Sequence, residues 1–247
     1  MSHTLHRLGK IGVLEGDWIV LAISAQGVNR RGSVPRLRRF LQMSLKYGPI
    51  NFGDMRSGSS LTKDPHELLS GMREDSVLNI VFDSEKALCR FLKELRRARL
   101  GLSVVVSGLL DRGSRCVRKA GLLPHTYAMS LGTWGRTNSL PDKQTLEIMT
   151  MCGHGLISAR HVGLMAGKVA TGEMKASEAA SVLAKSCVCG AFNPVRAAGI
   201  LERMARRLPK SSQFHALNED GGSSPSRSQR AAGVRSRTAP TVSRSTP

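Results

Sequence analysis

Cys152-Gly-His154-Gly and Cys187-Val-Cys189-Gly are the two places where this sequence concentrates groups that could do chemistry. Between them they hold three of the chain's five cysteines and one of its seven histidines. Thiolate is a soft donor and imidazole a borderline one, and both bind metals. Three cysteines and one histidine satisfy a tetrahedral zinc site by ligand type. The C-x-H and C-x-C spacings are tighter than the two-residue gap of common zinc fingers. They also depart from the common ferredoxin runs, but ligands at helix starts rather than in paired zinc knuckles favour an iron–sulfur cluster, with zinc as the alternative. In the cluster reading Cys152, Cys187 and Cys189 are ligands, and His154, His161 or an exogenous group takes the fourth position. The glycines beside the cysteines leave backbone amides free to approach sulfur. A C-x-C pair can also be a redox dithiol, so a thiol-dependent enzyme using Cys187 or Cys189 is a further alternative. Simple burial of small apolar side chains is the plainest reading of any cysteine.

The elements around these motifs argue for one shared site. Ser158 can cap a helix running to about Ala170, with Val162, Met165, Ala166 and Val169 on one face. Thr171-Gly172 breaks it. A second helix opens at Ser177-Glu178 and runs through Lys185. Two helices of similar length joined by a short break pack antiparallel, which returns Cys187 and Cys189 to the end where Cys152 and His154 lie. A third helix starts after Cys189, with Asn193 as its N-cap and Pro194 in its first turn. Helix N-termini favour negative charge by roughly 0.3–1 kcal/mol and lower thiol pKa, which suits bound thiolates. Asn193 and Arg196 could face the site, although capping and solvation account for both.

Ahead of this region the pattern alternates between strands and helices. Residues 17–24 read as a buried strand and residues 77–82 as a strand. Ser84 caps a helix over 85–99, and Leu102-Ser-Val-Val-Val-Ser107 is nearly continuous apolar sequence, the signature of a strand covered on both faces. A helix over about 111–120 and a strand from His125 to Leu131 follow. Residues 35–47 read as an amphipathic helix and 49–63, rich in Gly and Ser, as a loop. The β-α-β-α-β order predicts an α/β fold with a small, mainly parallel sheet and flanking helices. In such sheets ligands sit beyond the carboxyl ends of the strands. Gly132, Trp134 and Gly135, at the end of the last strand, are therefore candidate cofactor-binding residues that would line a cleft opposite the cysteines. Cys89 and Cys116 read as small buried residues.

Three regions follow from composition: an α/β domain over 1–140, an all-helical Cys/His subdomain over 141–209, and a disordered basic tail over 210–247, where Ser, Arg, Pro and Gly leave almost nothing to bury. The net charge of +19 is spread along the chain, and aromatics make up only 4%. A nucleic-acid surface usually combines clustered charge with aromatics, so nucleic acid is not the favoured partner. An unknown small molecule or redox partner is. No apolar run reaches the roughly 18 residues of a membrane span, and the N-terminus lacks a secretory h-region, so the expectation is a cytoplasmic protein with reduced thiols. The function expected is redox or metal-assisted chemistry at a thiolate-ligated metal, the main alternative being a zinc-stabilised basic nucleic-acid-binding module. Substrate, oligomeric state and whether the chain is an enzyme stay open.

Overall fold

A computed structural model describes residues 7–208; the predicted tail over 210–247 lies outside them. The chain begins with a helical turn, α1 (Ile11–Leu14), and then enters the central strand β1 (Trp18–Ile23). Its residues are apolar on both sides because both sides are covered. Trp18, Val20 and Ala22 join one core cluster, while Ile19 and Leu21 are buried on the opposite face. Helix α2 (Val34–Leu45) has Pro35 in its first turn and buries Leu37, Phe40 and Leu41. After it come β2 (Asn51–Asp54), β3 (Gly58–Ser59) and the short α3 (Pro65–Ser70). Then β4 (Val77–Phe82), α4 (Glu85–Ala98), β5 (Ser103–Ser107) and α5 (Leu110–Lys119) alternate. Ser84 caps α4 by accepting from the Ala87 amide.

The sheet order is β3-β2-β4-β1-β5, and every hydrogen-bonded pair in it is antiparallel. The mainly parallel sheet expected from the sequence is therefore wrong, for a definite reason. The crossover β4–α4–β5 does bring the chain back in its starting direction, since both strands run antiparallel to β1. The space between them is filled by β1, which arrives from the N-terminus and runs the other way. Element order fixes strand direction across a helical crossover but does not say which strand is inserted between.

Three local expectations also change. Residues 49–63 contain the β2–β3 hairpin rather than a plain loop. The polar residues that hid it, Asn51 and Asp54, are buried and hydrogen-bonded. Residues 125–131 form no strand but an exposed segment without regular secondary structure, so the sheet ends at β5. β5 is thus an edge strand with alternate residues exposed, not one covered on both faces.

The remainder is helical: α6 (Lys143–Met149), α7 (Ala159–Ala170), α8 (Ala176–Lys185) and α9 (Pro194–Ala205). Ser158 caps α7 and Asn193 caps α9, as their positions predict. Residues 18–120 build one buried apolar cluster around α2, α4 and the sheet, and residues 148–201 build a second among α6 to α9. No helix of the described residues is long and apolar enough to cross a membrane.

Candidate metal centre

Cys152 lies in the loop between α6 and α7, and Cys187 and Cys189 lie in the loop between α8 and α9. The packing of α7, α8 and α9 brings these two loops together. All three cysteines are buried, free of disulfide, and part of the second cluster. The Cys187 and Cys189 sulfurs are 3.8 Å apart. Cys152 hydrogen-bonds to Cys187 on its other side, so the sulfurs form a row with Cys187 in the middle. The row is not a closed triangle. Among the described residues, the group of ligand atoms mutually within 4.8 Å is Glu85, Cys89 and Cys116.

Backbone amides are aimed at each sulfur. Cys152 accepts from the His154 and Leu156 amides, Cys187 from Phe192, and Cys189 from Ala191. These are the donors that stabilise negative sulfur. With thiols alone in the row, the effects divide unevenly. Cys152 donates to Cys187 and is buried, and both raise its pKa. Cys187 gains from accepting that bond, but donation to Cys189 and burial push it up to about 11. Cys189 accepts from Cys187, which outweighs its burial and lowers its pKa.

The cysteine loops are seated on the sheet by buried polar groups. Asn79 on β4 donates to the Cys189 carbonyl at 3.2 Å, and Asn51 on β2 donates to the Phe192 carbonyl at 2.8 Å. Gly190, at φ +72°, passes directly over β2: a Cβ there would stand 2.4 Å from the Gly53 nitrogen. Only a glycine fits this left-handed conformation and this approach.

Arg7 joins the two loops. Its guanidinium donates to the Met151 carbonyl at 3.1 Å, next to Cys152, and to the Ala191 carbonyl, two residues past Cys189. The same group is paired with Asp17 at 2.7 Å. Asp17 in turn pairs with Arg196 at 2.7 Å and accepts from Asn193 at 3.0 Å. Burial alone would raise the Asp17 pKa, but Arg7, Arg196 and Asn193 overcome it and hold the carboxyl below its ordinary value. Arg196 is thus a buried ion-pair partner rather than a solvated side chain. Arg7 could not be found from sequence, since it lies in a weakly patterned N-terminal stretch and its partners are backbone carbonyls far along the chain.

Family models, curated proteins and solved structures contain no match to this chain. Its chemistry must be read from its own residues.

Not every residue singled out in the sequence joins the row. The side chain of His154 is exposed, and its backbone amide is what meets Cys152. Gly132, Trp134 and Gly135 lie in the exposed segment after residue 131. Trp134 is 82% exposed, with its indole N–H turned to its own Leu131 carbonyl at 2.8 Å. Since 125–131 is not a strand, there is no strand end for these residues to mark. Cys89 and Cys116, read as unpaired buried residues, form a disulfide between α4 and α5. Their sulfurs are therefore bonded to each other rather than available beside Glu85.

Proposed function

We propose that the chain is a thiolate-ligated metal protein whose protein ligands are Cys152, Cys187 and Cys189. One observation carries this reading: three buried sulfurs from two distant loops stand in one row, Cys187 touching both others, and each receives at least one backbone N–H. A tetrahedral ion with metal–sulfur bonds of about 2.3 Å holds its sulfurs about 3.8 Å apart. The 3.8 Å between Cys187 and Cys189 matches that edge and favours a single ion, zinc by ligand type. Cys152 completes the set by closing toward both. His154 would reach the ion only by turning inward from its exposed position. Burial of all three sulfurs suits an ion that fixes the two loops on the sheet rather than one that turns over a substrate.

The second reading is an iron–sulfur cluster serving electron transfer in the cytoplasm. The amides aimed at sulfur support it, because such donors set cluster potentials. It requires the sulfurs to spread apart from their present spacing. A reducing compartment agrees with the free thiols of the row, whereas the Cys89–Cys116 disulfide runs against it.

Anaerobic purification followed by metal and acid-labile sulfide analysis of wild type and Cys187→Ala tests both. One zinc per wild-type chain, lost in the variant, supports the single ion. Iron with sulfide supports the cluster. Folded wild-type protein without metal removes both readings.

A further inference from the structure

The two edges of the sheet are treated differently. At one end β3 is two residues long, and shortness is a common way to blunt an edge. At the other end β5 presents Ser103-Val-Val-Val106 without Lys, Pro or a bulge, the devices that otherwise keep an edge from pairing. Val104 and Val106 pack on the core, while Val105 on the opposite face is 37% exposed. A groove of about 790 Å³ follows this edge, lined by β5, α5 and residues 122–130.

The chain also carries a strand-like segment that pairs with no strand among the described residues. His125 to Leu131 alternates, with Tyr127, Met129 and Leu131 in one register, all three exposed. Neither residues 102–110 nor residues 122–135 contain an Asp, Glu, Lys or Arg. That decides what can meet them. In a chain of net charge +19, two copies repel over most of their surface, and these stretches are where they can approach without opposed charges. Arg96 and Arg99 also line the groove, but the edge strand and the segment themselves offer an acidic partner no cation.

We propose that two copies of this chain associate by reciprocal strand exchange, the 125–131 segment of each adding to the β5 edge of the other. The contact is isologous and closes at a dimer, so it covers both edges at once. Main-chain hydrogen bonds along β5 supply the pairing. Tyr127, Met129 and Leu131 cover the exposed face around Val105. This also accounts for the continuous apolar run of β5, which the isolated chain leaves half uncovered.

Sedimentation velocity of the full chain over a wide concentration range tests the exchange. The wild type is expected to double its mass as concentration rises. Val105→Lys places on the edge the residue that free edges use to resist pairing, and Met129→Lys charges the segment. Both positions are exposed, so far-UV circular dichroism and the thermal midpoint should stay near wild type while each variant alone remains monomeric. Mixing the two variants leaves one intact edge opposite one intact segment, and the mixture should form dimers that neither forms alone. A wild type that stays monomeric, including one whose segment closes on its own β5, overturns the proposal. So does a dimer that both lysine variants leave unchanged.

Discussion

The Arg7 guanidinium lies 2.7 Å from the Asp17 carboxylate, in the interior, while its other nitrogen holds the carbonyls that flank both cysteine loops. The ion pair and the candidate metal centre therefore share one side chain. Removing Asp17 leaves Arg7 buried without its counter-charge and Arg196 with only Glu147, at 3.9 Å, and breaking such a buried pair typically costs about 3–5 kcal/mol. Asp17→Asn is expected to lower the denaturant midpoint at neutral pH by the equivalent of that amount.

The pH dependence of the same pair follows in sign. The Asp17 pKa is lowered in the folded chain, so its contribution is fully present above the unfolded value of about 3.9. It is lost as pH falls through the lower folded value. Denaturant midpoints measured from neutral pH down to pH 3 should drop more steeply in the wild type than in Asp17→Asn. Equal acid slopes would show that the pair adds nothing to stability.

Gly190 supports a third prediction. Alanine there must adopt φ near +72° and force its Cβ into the β2 backbone. A left-handed alanine costs about 1–2 kcal/mol and the overpacking about 1–3 more. Gly190→Ala should therefore lose roughly 2–5 kcal/mol in chemical denaturation, and should weaken metal retention because the Cys187–Cys189 loop is lifted from its seat. Gly155→Ala, also at positive φ but facing open space, should lose only the backbone part.

The two groups of cysteines should separate experimentally. The Cys89–Cys116 disulfide closes a sequence separation of 27, worth about 3.5 kcal/mol on the chain-entropy account. Cys89→Ala/Cys116→Ala is expected to lower stability by up to that amount while leaving metal content unchanged. Loss of metal in that double variant would move the candidate centre to the wrong place.

Much of this arrangement was legible in the residues, and the failures have physical causes. The helices carrying the cysteine loops are amphipathic and capped by Ser158 and Asn193, so local pattern locates them, and their packing brings Cys152 against Cys187. The sheet was misread because the insertion of β1 between β4 and β5 is a non-local choice that no periodicity records. β2 was missed because its inward-facing Asn51 and Asp54 are satisfied by partners elsewhere in the fold. The 125–131 segment has the alternation of a strand but pairs with no strand among the described residues, which is the mismatch behind the proposed exchange. Arg7 and Asp17 could not be paired from sequence, since neither lies in a motif.

X-ray absorption on the anaerobically purified full chain tests the central claim most directly. The account predicts a bound ion with three sulfur neighbours at about 2.3 Å, reduced in number by Cys152→Ser, Cys187→Ser or Cys189→Ser. A bound ion with no sulfur neighbours, or a folded chain that binds none, would contradict it.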